Sequence, residues 1–162
     1  MKEIENAPVT GKTLVITRLF EMPLATAWKA WSDADTIQKW WGPKDYTCPR
    51  YTLDFKEGGK YLGCMCAPDG KETWSTGVFK EIIEQKKISM TDCFCDREGT
   101  IKPGSEIEMP GTWPDELIIT VSFDEADGKT RIMLHHDGLP AEAMEECMQG
   151  WQQAMDKLEQ AT

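Results

Sequence analysis

The two histidines of this chain are adjacent, in the sequence His135-His136-Asp137. Histidine titrates near neutral pH and is the side chain that most often acts as a general base. Successive residues of a strand face opposite sides of a sheet, so both histidines cannot serve one site. We take His136 as the inward residue that contacts a ligand. The alternative is a structural histidine with fixed hydrogen bonds near the end of a strand.

Two pairs of cysteines could bind a metal ion through their thiolates, Cys64 with Cys66 and Cys93 with Cys95. On strands, each pair would point to one face. A four-thiolate zinc site needs sulfur atoms roughly 3.8 Å apart, since Zn–S bonds are ~2.3 Å long. The predicted strand order puts another strand between the pairs, which separates them by about 9 to 10 Å. We therefore predict no metal and no cofactor, and we expect reduced cysteines packed as small apolar groups.

Trp and Met are the side chains best suited to wall a ligand cavity. Four of the seven Trp lie between Trp28 and Trp41, where the sequence ends in Trp-Trp-Gly-Pro, and several Met surround Trp151 at helical spacing. Trp brings a large apolar area, and Met repacks readily around guests of different shape. The alternative is that these side chains only fill a core. Our predicted ligand-binding residues are Trp40, Trp41, Phe79, Phe94, His136, Met148, Trp151 and Met155.

Composition excludes several classes of protein. The 162 residues carry a formal net charge of −10, which repels nucleic-acid phosphates, so we expect no nucleic-acid partner. No run approaches the ~18 apolar residues of a membrane span, and the N-terminus lacks the apolar stretch of a signal peptide. We expect a cytoplasmic protein without membrane insertion, folded as a single domain over residues 1–162, with residues 1–12 as a flexible N-terminal segment.

Hydrophobic periodicity predicts the elements that must position these side chains. A strand over residues 13–21 precedes two short helices within residues 24–41 that meet at Asp33, and a long helix covers residues 140–160. The segment between them alternates as in strands and contains turn residues at hairpin spacing. A loop rich in Gly and Pro, residues 96–115, is expected to act as a lid. The six later strands are predicted at residues 50–55, 60–67, 73–83, 87–95, 116–124 and 129–136.

These elements predict an α+β, helix-grip fold. A curved antiparallel sheet of about seven strands would wrap around the long C-terminal helix, with two short helices after the first strand. A gap between a curved sheet and a helix is a natural place for a small molecule. We therefore expect the functional site there.

Sequence blocks along most of the chain resemble the activator of heat shock protein 90 ATPase homologue-like family. This family lies within the START-like (SRPBCC) helix-grip superfamily, which also contains the birch-pollen-type allergens. The blocks that carry the resemblance are Arg18-Leu19-Phe20 with Pro23, Trp28, Ala30-Trp31 with Asp33, Trp40-Trp41-Gly42-Pro43, Asp54-Phe55 with Gly58-Gly59, Gly77 with Phe79 and Glu81-Ile82, Phe94 with Asp96 and Gly99, Trp113-Pro114, Asp127-Gly128-Lys129-Thr130, and Gly150-Trp151.

The resemblance implies the same order of elements and a cavity that binds a small molecule. Relatives in the superfamily bind lipids, sterols, polyketides or phenolics, and some catalyse reactions in the cavity. The co-chaperone that gives the family its name carries an additional N-terminal domain, for which 162 residues leave no room. We therefore do not expect a chaperone partner. One departure is Glu84, where the family often has Pro after the Glu-Ile pair.

Binding without catalysis is the function that we expect, with a small apolar or aromatic molecule as the partner. Two alternatives remain open. One is a stress-related interaction module, co-chaperone-like, with a homodimer among its forms. The other is an enzyme that acts on a ligand bound in the cavity, through the inward histidine or a buried carboxylate, with His136 and Asp92 as the residues whose substitution would test it.

Overall fold

The computed structural model describes residues 12–161. The predicted flexible segment, residues 1–12, therefore lies outside the described residues except for Lys12, which begins the first strand. The elements of the described chain are β1 (Lys12–Phe20), α1 (Leu24–Ser32), α2 (Ala34–Ile37), β2 (Tyr51–Leu53), β3 (Lys60–Cys66), β4 (Glu72–Ile83), β5 (Lys87–Cys95), β6 (Leu117–Ala126), β7 (Lys129–Leu139) and α3 (Met144–Ala161).

The described strands form one antiparallel sheet in the order β1-β7-β6-β5-β4-β3-β2. Strands β2 to β7 follow each other as a meander, and β1 pairs with β7 at the far edge. The hairpin between β6 and β7 turns at Asp127-Gly128, whose φ values of 54° and 78° suit residues that tolerate a left-handed backbone. The sequence prediction of a helix-grip fold with a seven-stranded sheet is confirmed.

Side chains of the inner sheet face and of α3 form the main core. Alternation along each strand directs every second side chain to this face, as with Ile119 and Val121 on β6 and Leu134 on β7. Met155 and Leu158 of α3 are fully buried against them. Burial of apolar area at about 25 cal/mol per Å² is therefore what fixes the helix on the sheet.

Two short helices close one end of this core, and they meet at Asp33 as predicted. The Asp33 carboxylate accepts the backbone N–H of Thr36 at 3.0 Å and its hydroxyl at 2.7 Å. These hydrogen bonds satisfy a donor of the first turn of α2 and lower the pKa of Asp33. Trp40 follows the second helix and is fully buried, with its indole Nε1 donating to the Ala30 carbonyl at 2.9 Å.

Polar contacts of Arg18 and Lys157 fix α3 beyond its apolar stripe. Arg18, at the sheet edge, lies 2.7 Å from Asp156 and 3.1 Å from Glu159. Lys157 donates to the carbonyls of Pro43 and Tyr46 at 3.1 and 3.0 Å, so the turn after α2 is tied to α3. The helix begins at Met144, after a 3-10 turn over Ala141–Ala143, and the predicted start at residue 140 is therefore four residues early.

None of the helices in residues 12–161 has the length and apolar character to cross a membrane.

Candidate functional site

A cavity of about 240 Å³ lies between the inner sheet face and α3. Its wall is mostly apolar, and the polar groups within it are few. It lies where the sequence reasoning expected the site, between the curved sheet and the last helix. Its lining residues are Trp41, Gly42, Pro43, Tyr46, Met65, Thr73, Ser75, Asp92, Phe94, Met109, Pro110, Trp113, Leu117, Ile119, His136, Leu139, Ala143, Glu146, Cys147, Gly150, Trp151 and Ala154.

A chain of hydrogen bonds between four side chains crosses one wall of the cavity. The Trp151 indole Nε1 donates to His136 Nδ1 at 3.0 Å. His136 Nε2 lies 3.0 Å from Asp92 Oδ2, and the Tyr61 hydroxyl donates to Asp92 Oδ1 at 3.0 Å. We call these four residues the polar relay. It joins α3 to the strands β7, β5 and β3.

The donors of the polar relay fix the tautomer of His136. An indole N–H can only donate, so the Nδ1 atom that faces Trp151 carries no proton. The proton of the neutral ring is then on Nε2, which donates to Asp92. If Nδ1 also carried a proton, its N–H and the Trp151 N–H would be two donors facing each other at 3.0 Å. Within this geometry His136 is a neutral imidazole, and Asp92 accepts two hydrogen bonds from neutral groups.

Tyr61 lies beside a glycine of β4 and stacks on Tyr51. It pairs with Gly77, where a Cβ atom would lie 1.9 Å from the Thr91 carbonyl oxygen and 2.7 Å from the Tyr61 ring. The rings of Tyr61 and Tyr51 are stacked, with centroids 5.7 Å apart. Burial and then the charge of Asp92 raise the pKa of Tyr61 well above its usual value. Its hydroxyl therefore stays a proton donor to the carboxylate.

The ligand-binding set predicted from the sequence omits Asp92 and Tyr61, although the enzymatic alternative included Asp92. A signal for Asp92 was present, because it falls between Met90 and Phe94 on the inward positions of β5. A carboxylate at an inward position of an apolar strand face needs partners, and this marks it as a candidate. The side chain is 19% exposed and lines the cavity, and that of His136 is 9% exposed.

Aromatic rings surround the rest of the cavity. Trp151 lies edge-on to His136 at 5.9 Å and to Trp41 at 5.9 Å, as ring centroids. Phe94 and Trp113 meet edge to face at 5.5 Å. The Trp41 Nε1 atom is buried and has no hydrogen-bond partner among the described residues, so its N–H is an unsatisfied donor.

The loop after β5 covers part of the cavity. Met109, Pro110 and Trp113 from this loop line it, and the Trp113 Nε1 donates to the Pro110 carbonyl at 3.1 Å. Asp115 closes the loop by accepting the backbone N–H of Gly104 at 2.6 Å. The position agrees with the predicted lid over residues 96–115. Whether it opens stays a prediction.

Gly150 opens the helix side of the cavity. A Cβ atom there would lie 3.4 Å from Pro43 Cγ, which is ordinary contact. The close neighbour of this helical glycine is thus the turn after α2.

The structure brings together only part of the predicted ligand-binding set. Trp41, Phe94, His136 and Trp151 line the cavity. The other four predicted residues lie elsewhere: Trp40, Phe79 and Met155 are fully buried in the core, and Met148 packs against the core as a partly buried side chain. Phe79 packs edge to face against Phe55 in the core, with ring centroids 5.2 Å apart.

The two cysteine pairs lie on the outer side of the sheet, with β4 between them. In the ladder Cys64 pairs with Trp74 and Trp74 pairs with Cys95, so an indole occupies the position between the strands. Burial is the main cause that raises the pKa of Cys64 to about 11 and of Cys95 to about 12. These thiols remain protonated at neutral pH and act as apolar packing groups. In the described part of the chain no group of three or more His, Cys, Asp or Glu side chains is placed to hold a metal ion.

The buried thiols predict an alkaline loss of stability. In the unfolded chain a cysteine ionises near pH ~8.5, whereas burial raises the pKa of Cys93 and Cys147 to about 11 and of Cys95 to about 12. The unfolded state therefore binds fewer protons in this window, and the free energy of unfolding falls as pH rises. Stability should be complete below the unfolded value and should decline through pH 11 to 12.

Urea denaturation at a series of pH values measures this loss. Cys95→Ala is the control, because it removes the thiol with the highest pKa and should flatten the decline. A free energy of unfolding that stays constant from pH 8.5 to 11 would contradict the prediction.

Comparisons with known proteins agree with this fold. None of the curated proteins matches the chain. Among solved structures, a protein from Arthrobacter aurescens has 21% identity and a TM-score of 0.77, covering 96% of this chain and 88% of that one. The AHSA1 protein from Silicibacter pomeroyi has 20% identity and a TM-score of 0.74, covering 91% and 95%. The AHSA1-like protein from Aeromonas hydrophila has 21% identity and a TM-score of 0.69, covering 92% and 90%. At these identities the likeness shows a shared fold.

Family membership rests on a separate match. The family described as Activator of Hsp90 ATPase homolog 1-like protein matches residues 21–162, which is most of the sequence. The match includes the Trp-rich segment after β1, the lid and α3. The chain therefore belongs to the Activator of Hsp90 ATPase homolog 1-like family.

Proposed function

We propose that this protein, acting as one START-like domain in the cytoplasm, binds a small apolar or aromatic molecule in the cavity between the sheet and α3. The single observation that carries this proposal is a preformed apolar cavity into which the buried polar relay presents a carboxylate. Ligand sites are mostly apolar clefts with a few convergent polar groups, usually of about 300–1,000 Å³. The volume of about 240 Å³ lies just below that range, so the ligand is small.

The aromatic wall and the polar relay would bind different parts of the ligand. Trp41, Phe94, Trp113 and Trp151 supply flat apolar surfaces, and aromatic contacts of this kind favour a planar or compact guest. Asp92 is the polar end, because its two neutral donors leave lone pairs of the carboxylate for a further hydrogen bond. A ligand would therefore lie with its apolar part against the Trp rings.

Filling the cavity tests this proposal. Cys147→Phe adds a ring at a partly exposed lining position of α3, where strain can be relieved toward solvent. Indole, a small neutral aromatic compound, is the probe. We expect it to shift the amide NMR signals of Gly150 and Ala154 in the wild-type protein, and we expect Cys147→Phe to weaken its binding at least tenfold.

Cys147→Ser is the matched control, because it changes the same atom without filling space. It should bind indole as the wild-type protein does, and thermal unfolding should show that both variants are folded. Indole signals that do not change in the wild-type protein, or that change equally in Cys147→Phe, would contradict the proposed cavity.

A second candidate function is protein interaction, and one observation favours it. Val15, Ile118 and Met133 are exposed on the outer side of β1, β6 and β7, which are adjacent strands. Exposed apolar side chains that cluster on one face are typical of interaction sites. The family description names an Hsp90 ATPase activator, so the partner to test is an Hsp90 chaperone.

Met133→Glu tests the outer face. If the face binds Hsp90, the wild-type protein should change the ATPase rate of the chaperone, and Met133→Glu should abolish that change, since it sets a charge in an apolar contact. Thr52→Glu adds the same charge to the exposed position of β2 and serves as the control. An ATPase rate that the wild-type protein does not change would exclude this function.

A further inference from the structure

The charges around the cavity are all negative. Asp92 and Glu146 line it, whereas none of the lining residues described by the structure is Lys or Arg. The nearby cation of α3, Lys157, donates to the carbonyls of Pro43 and Tyr46, so its charge is used to hold the turn. The cavity thus carries acidic groups without a positive counterpart in its wall.

Asp92 is the less exposed of these two acidic groups. Its partners are the hydroxyl of Tyr61 and the Nε2–H of His136, and both are neutral. Among the described residues no Lys or Arg forms an ion pair with it. A carboxylate in a partly desolvated site is costly unless a positive charge compensates it.

His136 does not supply that compensation. A histidine beside a carboxylate often gains a second proton. Here, however, the Trp151 N–H donates a hydrogen bond to Nδ1 at 3.0 Å, so this nitrogen acts as an acceptor. The indole therefore holds the imidazole neutral, and the charge of Asp92 stays open toward the cavity. Burial raises the pKa of Tyr51, Tyr61 and Cys147, and the charge of Asp92 raises these pKa values further.

The aromatic wall adds a second preference for a cation. Trp41, Trp113 and Trp151 line the same cavity as Asp92. The faces of Trp rings attract positive charge, and this attraction grows when the site is dry. A carboxylate beside several indoles is therefore suited to a protonated amine attached to an apolar body.

We infer that the cavity takes a small organic cation, a protonated amine with an aromatic or aliphatic body, whose ammonium group donates to Asp92 while its body contacts the Trp rings. This inference rests on the proposed function and narrows its ligand class. Neutral molecules of the same shape should bind more weakly, and carboxylic acids more weakly still.

A charge series on one scaffold tests the inference. The probes are 2-phenylethylamine, 2-phenylethanol and phenylacetate, which share the ring and differ in the charge of the terminal group. Amide NMR titration of the wild-type protein at pH 7 should show the amine binding about tenfold tighter than the alcohol, because a charge-assisted hydrogen bond is about twice as strong as a neutral one. Phenylacetate should bind least.

Asp92→Asn removes the charge and keeps the size of the side chain. In this variant the preference for the amine over the alcohol should fall to less than twofold. Glu146→Gln provides a second test that does not depend on the polar relay, because the Glu146 side chain lines the cavity and is exposed. It should lower the affinity for the amine by a smaller factor and leave the alcohol unchanged.

The outcomes separate this inference from the proposed function. If indole binds in the cavity but the amine binds no tighter than the alcohol, the cation preference is wrong and the binding function stands. Tighter binding of phenylacetate than of the amine would overturn the inference in the same way. If neither indole nor any of the three probes binds, the proposed function fails together with the inference that rests on it.

Discussion

The hydrogen bond from the Trp151 indole to His136 Nδ1 is the constraint on which the rest of the site depends. It joins α3 to the middle of the sheet at 3.0 Å, and it passes a polar contact through an otherwise apolar core. Because an indole N–H can only donate, the bond decides the tautomer of His136 and thereby makes Nε2 a donor to Asp92. This one contact between α3 and the sheet thus sets the orientation of the His136 ring and keeps the ring neutral beside Asp92.

The supporting structure explains why this contact persists. Trp151 is held between Trp31, at a ring centroid distance of 6.2 Å, and Trp41, at 5.9 Å. At the other end of the polar relay, Gly77 lets β4 lie close to both the Thr91 carbonyl and the Tyr61 ring. Buried polar groups specify one arrangement when every member is satisfied, and here each relay atom described above has a partner. The rings of Trp31, Trp41 and Trp151 and the polar relay therefore act together, and they support a small cavity beside the Asp92 carboxylate.

Much of the fold follows from the sequence, and the reasons are local. Alternation of apolar residues predicts the strands, Asp33 predicts the break between the short helices, and Asp127-Gly128 predicts the last hairpin, because each signal lies within a few residues. The inward direction of His136 follows from the same alternation. The start of α3 is less well predicted, because Pro140 permits a 3-10 turn before the α-helix.

The site is only partly predictable, because its contacts join distant strands. Tyr61 and Asp92 are 31 residues apart, and their hydrogen bond depends on how β3 and β5 align on either side of β4. Periodicity within one strand does not reveal the register between strands. Phe79 is an inward residue as expected, but it lies in the core with Phe55 and does not line the cavity.

The most direct test of this account is the tautomer of His136. A long-range ¹H–¹⁵N NMR spectrum of the imidazole distinguishes the neutral ring protonated at Nε2 from the ring protonated at Nδ1 and from the charged ring. At pH 7 we expect the Nε2–H tautomer in the wild-type protein, with Nδ1 as an acceptor. A signal of the Nδ1–H tautomer or of a charged imidazolium would contradict the account, since Trp151 could then not donate to this nitrogen.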